Sequence, residues 1–326
     1  MKLIGKQKQK EYFDNLIESG NLGHFYIIEG AQGVGRKTMV DYISMKIHCR
    51  ESAAPCFVCP SCIKHLTGNH PDYIKVKNQG DDKKTVSVDT IRKITEDIYV
   101  RPLISDRKIY VLDDEKPIGA EGQNAFLKVL EEPPSYAAIF LIVKDRSALL
   151  ETVLSRGIIC RVEPCSKADT VEFIKEKYPA SSDMAEFIAD YSGGVLGEAE
   201  KMAGEGEFIS FRSEFYSALR KITESRAEGI CEVLKFYTKN KEKVDIINNL
   251  FASWLRDAYY IKSTGDMNII NYDYKNNIYT FASGLSEAGI MDTLSGIFDT
   301  AKKFSKGNNL ELWMCDVLSK LERQNR

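Results

Sequence analysis

The sequence has no apolar run of about 18 residues, the length that a membrane-spanning helix needs. Its first residues, 1–7, contain no apolar signal core, so we expect a protein that is not secreted and resides in the cytoplasm. An excess of one charge is also missing, because 45 lysines and arginines are balanced by 47 aspartates and glutamates. The formal net charge of −2 excludes binding to nucleic acid through bulk charge, although a local basic face is compatible with it.

Internal repeats and low-complexity tracts are absent as well. The sequence has an ordinary globular composition, with 43% hydrophobic and 28% charged residues, which excludes a disordered chain. Domains usually contain about 100–200 residues, so a chain of 326 residues is expected to form two or three of them.

The first half of the sequence alternates apolar segments with helical patterns. Strands are predicted at residues 24–29, 73–76, 108–114, 138–143 and 158–162. Helices are predicted at residues 10–17, 36–49 and 121–132, with a further helix that Asp89 caps. Continuous apolar strands separated by helices predict an α/β domain with a parallel sheet that is covered on both faces.

The strand pattern ends near Pro164, and the remainder of the sequence is helical. Short helices are predicted at residues 168–177, 183–191 and 197–203, and longer ones at 208–223, 227–239, 241–262, 285–304 and 309–323. We therefore expect three parts: an α/β domain at 1–164, a small helical domain at 165–206 and a helical bundle at 207–326.

A glycine-rich turn follows the first predicted strand and precedes a helix. Gly30, Gly33 and Gly35 are its glycines, and this setting is typical of a phosphate-binding loop. Glycines allow backbone N–H groups to close around phosphates, while a lysine directly after the last glycine reaches the β and γ phosphates.

The residues after this loop are out of the usual register. Arg36 occupies the lysine position, and Lys37 and Thr38 come one place late. One residue of a helix turns by about 100°, so Lys37 would point away from a nucleotide placed by the standard loop, and Arg36 lacks the compact ammonium. Alternatively, the loop is one residue longer, and Lys37 and Thr38 bind the nucleotide and Mg²⁺.

The strand predicted at 108–114 ends in acidic residues and resembles a Walker B segment. Asp113 is placed to hold Mg²⁺, and Asp114 stands where a catalytic glutamate is expected. Aspartate is one methylene shorter, so Asp114 would hold an attacking water poorly. An acidic strand end that simply faces solvent explains the same residues.

Cysteines provide the sharpest metal signal. The chain has eight, and four lie within fourteen residues: Cys49, Cys56, Cys59 and Cys62. Clustered cysteines in a reducing compartment more often bind metal than form disulfides, and four thiolates complete a tetrahedral structural zinc site. His48, His65 and His70 lie nearby and are expected to be surface or packing residues. The scattered cysteines are expected to be small buried side chains: Cys160, Cys165, Cys231 and Cys315.

Several segments together resemble bacterial DNA polymerase III clamp-loader subunits, which are AAA+ proteins. These segments are residues 24–35, the four clustered cysteines, 70–73, 124–134 and 154–156. The resemblance covers about residues 1–205, and the later helices fit the family's collar by class and length. It implies a P-loop NTPase-like domain with a zinc-binding insertion at 49–62, a helical lid, and a collar that joins a ring with four other subunits.

Within this family the sequence is similar to the delta-prime type, the stator that does not drive the motor. Arg36 interrupts the loop, Val143 stands where a polar sensor residue is expected, and Leu196 replaces the arginine of the lid. The arginine of the family's serine-arginine-cysteine motif is kept as Arg156, whereas Gly157 replaces the cysteine. Glycine is expected to leave the backbone of Arg156 less restrained.

The resemblance implies a function in trans. Arg156, which alone would be read as an ordinary solvated or salt-bridged arginine, would reach the γ-phosphate of ATP held by a motor subunit. The implied partners are motor (gamma/tau-type) and clamp-opening (delta-type) subunits in a hetero-pentamer, with the sliding clamp and primed DNA. ATP hydrolysis by the chain itself is expected to be absent or negligible, and nucleotide binding is left open.

Two other functions are compatible with parts of the sequence. A motor subunit would hydrolyse ATP through Lys37 or Arg36 with Asp113 and Asp114. A zinc-dependent adaptor would bind nucleic acid, but the near-neutral charge and the lack of a basic stripe with interleaved aromatic residues disfavour it.

Overall fold

The computed structural model describes residues 3–76, 86–113, 117–204, 206–304 and 310–323. The chain divides into two compact units, residues 1–173 with 192–199 and residues 174–191 with 200–326. Segments of the predicted lid, 165–206, belong to both units, and the division into three functional domains stays a prediction. No helix within the described ranges is long and apolar enough to cross a membrane.

The first unit is built on a parallel sheet. Its strands are β1 (Phe25–Glu29), β2 (Tyr73–Lys75), β3 (Lys108–Asp113), β4 (Ala137–Val143) and β5 (Ile158–Arg161). They lie in the order β2-β3-β4-β1-β5, and each pairs in parallel with its neighbours. The predicted parallel sheet is confirmed.

Helices cover both faces of this sheet. They are α1 (Gln7–Glu18), α2 (Arg36–His48), α3 (Pro60–Leu66), α4 (Val88–Asp97), α5 (Ala120–Glu131) and α6 (Glu151–Leu154). Alternate strand residues point to opposite faces, so Ile27 packs with α4, α5 and α6, while Tyr26 packs with α1 and α2. All seven residues of β4 are buried, which is why this strand is apolar throughout.

The start of α4 differs from the prediction. Ser87, not Asp89, is the N-cap, and its Oγ accepts a hydrogen bond from the N–H of Thr90 at 3.1 Å. Ser87 has the extended backbone that a cap requires, whereas Asp89 already lies in the first helical turn. There its charge favours the positive end of the helix dipole.

The second unit is helical throughout its described part. The remaining helices of the chain are α7 (Lys167–Lys177), α8 (Ala185–Tyr191), α9 (Leu196–Gly204), α10 (Gly206–Glu224), α11 (Arg226–Lys239), α12 (Val244–Thr264), α13 (Lys275–Ser283), α14 (Glu287–Phe304) and α15 (Leu310–Arg323). The predicted all-helical region is confirmed, but α13 was not predicted. Its asparagines, threonine and serine are weak helix formers, and burial of Ile278 and Phe281 stabilises it.

Two of the four scattered cysteines are buried and two are exposed. Cys160 and Cys165 are buried, as expected, but Cys231 on α11 and Cys315 on α15 are exposed. The expectation of burial was wrong for these two because each lies on the outer side of its helix.

Candidate metal centre and nucleotide loop

The four clustered cysteines meet at the carboxyl end of α2. Cys49 directly follows that helix, and Cys59 is the N-cap of α3. All four Sγ atoms lie within 4.8 Å of one another, and the Cys49–Cys59 and Cys56–Cys62 pairs are each 3.9 Å apart. A tetrahedral zinc site with Zn–S bonds of about 2.3 Å has sulfur atoms about 3.8 Å apart. The geometry is therefore compatible with the predicted structural zinc.

The local backbone supports this arrangement. Phe57 adopts a positive φ of 63°, which turns the chain tightly between Cys56 and Cys59. The N–H of Cys59 then donates to Sγ of Cys56 at 3.3 Å, and the N–H of Cys62 donates to Sγ of Cys59 at 3.4 Å. N–H groups directed at sulfur stabilise thiolates, which are the form that binds metal.

The protonation of the thiols also fits a bound cation. Hydrogen bonds from the backbone N–H groups of Val58 and Cys59 lower the pKa of Cys56 to about 7. Burial raises the pKa of Cys49 and of Cys62, so these two would become thiolates when a nearby cation compensates their charge.

The three histidines beside the cysteines are buried packing residues. Nε2 of His48 donates to the backbone oxygen of Arg107 at 2.9 Å, so its Nδ1 accepts from Nε2 of His65 at 2.7 Å. The rings of His48 and His70 stack with centroids 4.3 Å apart and planes 9° apart. A metal binds in the plane of an imidazole, so two stacked rings in this arrangement cannot share one ion. Burial lowers the pKa of His48 to about 4, which keeps it neutral at pH 7.

Asp72 links the histidines to the segment before β3. The N–H of Asp72 donates to Nδ1 of His70 at 3.3 Å. Its fully buried carboxylate accepts from the backbone N–H groups of Leu103, Ile104 and Ser105 at 2.6, 2.9 and 2.9 Å. Burial alone would raise the pKa of Asp72, but these hydrogen bonds outweigh it and lower the pKa below the ordinary value. The cysteine module is thus fixed to the sheet through buried polar contacts.

At the other end of α2, the glycine loop is packed against its own protein. A Cβ on Gly30 would lie 2.5 Å from the backbone oxygen of Val162, so only glycine fits. Gly33 and Gly35 have positive φ values of 85° and 96°. The carbonyl of Gly33 accepts a hydrogen bond from the N–H of Gly197, at the start of α9, at 2.9 Å.

The residues that follow the loop divide into a buried and an exposed side chain. Arg36 is buried, with 6% of its surface exposed, whereas Lys37 is exposed and its Nζ lies 2.5 Å from Oδ2 of Asp113. Thr38 is partly buried. The structure thus brings Lys37 to the carboxyl end of β3. Asp114 lies outside the described residues.

A cavity of about 200 Å³ lies beside Asp113, at the carboxyl ends of β3 and β4. Val143, the predicted replacement of the polar sensor residue, lines it together with Leu141 and Ile118. An isopropyl side chain cannot hydrogen-bond a water molecule or a phosphate at this position.

Arg156 lies in the turn between α6 and β5. Its Nη2 donates to Oε1 of Glu131, the last residue of α5, at 2.6 Å, and its Nη1 donates to the carbonyl of Thr152 at 2.7 Å. About a third of the side chain is exposed. Gly157 packs tightly, since a Cβ there would lie 2.6 Å from Cδ1 of Ile27. The structure thus leaves no room for the family's cysteine side chain at this position unless Ile27 and Phe25 shift.

Three of these residues were not identified as site residues from the sequence: Glu131, Asp72 and Gly197. Glu131 and Asp72 lie inside segments that carry the family resemblance, so a signal existed, but nothing in the sequence assigned them a partner. Gly197 had no comparable signal, because its contact with Gly33 depends on how the start of α9 packs on the loop.

Two family models match the chain. The model described as DNA polymerase III, delta subunit, matches residues 5–166. The model described as DNA polymerase III, delta subunit, C terminal, matches residues 206–323.

Curated relatives give two kinds of match. DNA polymerase III subunit delta' of Bacillus subtilis is 23% identical, covering 91% of this chain and 90% of the relative. Its Escherichia coli counterpart is also 23% identical, covering 95% and 93%. DNA polymerase III subunit gamma of Buchnera aphidicola is 27% identical over 61% of this chain, a match that spans 55% of that subunit. These two delta' relatives thus match over nearly their whole length, and the gamma relative over about half.

Among solved structures, a DNA polymerase III gamma subunit-related protein from Thermotoga maritima aligns over 98% of this chain and 100% of its own. The sequence identity is 17% and the TM-score is 0.48.

Proposed function

The chain belongs to the delta-prime family of DNA polymerase III subunits, and we propose that it is the stator of a bacterial clamp loader. The parallel sheet and the helical second unit are the AAA+ architecture expected for this family. As a stator, the chain helps to close a ring that opens a sliding clamp and loads it on primed DNA. It contributes to ATP hydrolysis in a neighbouring subunit without hydrolysing ATP itself.

Contacts around the glycine loop support the lack of hydrolysis. The carbonyl of Gly33 is bonded to the N–H of Gly197, so the start of α9 packs directly on the loop. Val143 offers no polar group where a sensor residue would act, and Leu196 offers none in the lid. Loss of even two such contacts is expected to cost several kcal/mol of transition-state stabilisation.

The observation that carries the proposal is the setting of Arg156. The chain keeps a partly exposed guanidinium, held by one exposed carboxylate and one carbonyl. It lies in the turn before β5, at the opposite edge of the parallel sheet from the chain's own glycine loop, which follows the carboxyl end of β1. A planar guanidinium suits phosphate oxygens, and an arginine supplied in trans contributes about 10³–10⁵ to the rate in comparable NTPases.

The second unit is proposed to act as the collar. Met291 and Phe298 lie seven residues apart on the solvent side of α14 and are 48% and 53% exposed. This spacing places them on one face of the helix, as expected for a contact with another subunit. The partners would be motor (gamma/tau-type) and clamp-opening (delta-type) subunits in a cytoplasmic hetero-pentamer.

The proposal is tested by reconstituting the complete loader with variants of Arg156. Arg156→Ala is expected to leave the fold, the zinc content and ring assembly intact, but to lower DNA-stimulated ATP hydrolysis and clamp loading. Arg156→Lys should restore activity only in part, since an ammonium lacks the planar fork. Arg92→Ala, which removes an exposed arginine paired with Asp89 on α4, is the matched control. Wild-type rates with Arg156→Ala would reject the proposal.

A motor subunit is the second candidate, and the Lys37–Asp113 contact favours it. A phosphate-binding lysine and a Mg²⁺-binding aspartate occupy neighbouring positions in working sites. The isolated chain would then hydrolyse ATP at a rate that Lys37→Ala abolishes. We expect no such turnover, and a colorimetric phosphate assay on the purified chain decides between the two functions.

A further inference from the structure

We propose that Glu131 is a positioning residue for Arg156. The carboxylate of Glu131 holds the guanidinium in an intrachain ion pair until a phosphate of a neighbouring subunit's nucleotide takes the place of the carboxylate. The inference rests on the proposed function of Arg156 in trans. In this inference Glu131 competes with the neighbour's nucleotide for Arg156. The strength of the Glu131–Arg156 ion pair therefore sets how readily Arg156 binds that nucleotide.

The contact is specific. Nη2 of Arg156 lies 2.6 Å from Oε1 of Glu131, a distance typical of a charge-assisted hydrogen bond. Nη1 of Arg156 is bonded to the carbonyl of Thr152 at 2.7 Å and lies 3.4 Å from Oγ of Ser155. Within the described part of the chain, Arg156 is the one basic side chain that pairs with Glu131.

The pair is also exchangeable. The side chain of Arg156 is 33% exposed and that of Glu131 is 52% exposed, so water screens their attraction. Exposed ion pairs of this kind contribute little to stability, and a phosphate offers several charged oxygens in place of one carboxylate oxygen. Thr152 and Ser155 belong to the turn that carries Arg156, so their contacts can persist while the carboxylate is exchanged.

The position of Glu131 explains why the carboxylate retains the arginine in the free chain. Glu131 ends α5, and the carbonyl of Thr152 belongs to the four-residue helix α6. The carboxyl end of a helix carries partial negative charge, which disfavours a carboxylate there. Arg156 compensates this charge, and its departure leaves Glu131 uncompensated. Glu131 therefore opposes transfer of the guanidinium to a neighbour.

A competitor changes nucleotide affinity and not the chemical step. In Glu131→Gln the isosteric amide keeps the shape and removes the charge, so Arg156 is released more readily. Glu131 competes only before Arg156 engages the neighbour's nucleotide, so removing its charge favours the engaged complex and lowers KM. The barrier from the engaged complex, which Arg156 lowers in both loaders, is the same, so kcat is unchanged. We expect a decrease in KM of about two- to fivefold, the range set by a weak exposed ion pair.

The test uses the complete loader with its clamp and primed DNA. ATP hydrolysis is measured against ATP concentration for wild type, Glu131→Gln, Arg156→Ala and the double variant. Subtracting the rate of the loader that contains Arg156→Ala from the rate of the wild-type or Glu131→Gln loader gives the ATP hydrolysis at the site to which Arg156 contributes. Glu132→Gln is the matched control, because Glu132 is the next residue, is exposed and makes no described contact with Arg156.

The proposal predicts a lower KM for Glu131→Gln, no change for Glu132→Gln, and no effect of Glu131→Gln once Arg156 is alanine. An unchanged KM or a reduced kcat with Glu131→Gln would overturn it while leaving the trans function of Arg156 intact. Wild-type rates with Arg156→Ala would instead remove the proposed function, and this inference with it.

Discussion

The two ends of α2 carry the two motifs that the sequence predicts most clearly, and they differ in how their polar groups are paired. At its carboxyl end, four thiols converge so that their Sγ atoms lie within 4.8 Å of one another. At its amino end, Lys37 is paired with Asp113, and the carbonyl of Gly33 accepts a hydrogen bond from the N–H of Gly197. The cysteine cluster is compatible with a bound metal ion, whereas the glycine loop is packed against the start of α9.

The difference shows that a sequence motif does not by itself provide a complete functional site. Cysteine spacing brings its own ligands together, because Cys56, Cys59 and Cys62 share one short turn and helix. A glycine loop fixes only the path of the backbone, so its function depends on side chains from β3, β4 and α9. In this chain those elements supply an internal partner, an apolar residue and a close backbone contact.

The largest effect is expected from removing the metal. Purified protein should contain one zinc per chain, bound by Cys49, Cys56, Cys59 and Cys62. Chelation or Cys59→Ser should lower the free energy of unfolding of the first unit by more than about 4 kcal/mol, because tightly bound structural zinc adds its binding energy to folding. Metal analysis and thermal melting measure this, with the exposed Cys231→Ser as control. Less than half an equivalent of zinc, with stability unaffected by chelation, would contradict the predicted zinc site and remove the difference between the two ends of α2.

The next largest effect is expected at Asp72. Asp72→Asn replaces one acceptor oxygen by a donor that faces backbone N–H groups, and it should cost about 3 kcal/mol of stability. Because the folded pKa is lowered, the stabilisation by Asp72 is present above its unfolded pKa and is lost as pH falls through the folded pKa. Denaturant melts from pH 7 into the acid range measure both effects. Asp106→Asn, at an 88% exposed aspartate, is the control, and equal costs for the two variants would contradict the prediction.

Closure of the loop is tested at Gly30. In Gly30→Ala the Cβ would meet the backbone oxygen of Val162 at 2.5 Å, and neither backbone can move freely, so about 2 kcal/mol of stability should be lost. Gly119→Ala is the control, because a Cβ there meets no atom within 4 Å. Chemical denaturation compares the two. If Gly30→Ala is as stable as the control, the loop is more open than its contacts indicate.

The smallest effect is expected at Lys37. Its ion pair with Asp113 is 49% exposed on the lysine side, so Lys37→Ala should change the unfolding free energy by less than about 1 kcal/mol. Activity of the complete loader should be unchanged, since the chain's own loop does no chemistry in the proposed function. Equilibrium denaturation and loader ATP hydrolysis measure these quantities. A strong loss of loader activity would contradict this prediction and indicate that the loop is a working nucleotide site.

Much of the fold could be predicted because local patterns were strong. The apolar segment at β4 is a run of seven buried residues, and the strand pairs in parallel as its pattern indicates. The cap of α4 and the helix α13 could not be predicted, because Ser87 and Asp89 are both good caps and because burial, not propensity, stabilises Lys275–Ser283. The convergence of the cysteines was predicted, whereas the stacking of His48 on His70 was not, since it depends on Pro71, Asp72 and the end of α2 meeting in space.

The sequence by itself predicted the strands, most of the helices, the clustering of the four cysteines and the family, because each follows from residues close together in the chain. Tertiary structure decided which charges meet: Lys37 with Asp113, and Glu131 with Arg156. These pairs join residues that are not neighbours in sequence. The parallel strands bring the carboxyl ends of β1 and β3 to one edge of the sheet, where Lys37 meets Asp113, and the amino ends of β4 and β5 to the other edge, where Glu131 meets Arg156. The positions of charged residues in the sequence follow no period that indicates which of them form ion pairs. The carboxylate partners of Lys37 and Arg156 are therefore fixed only when the backbone has folded.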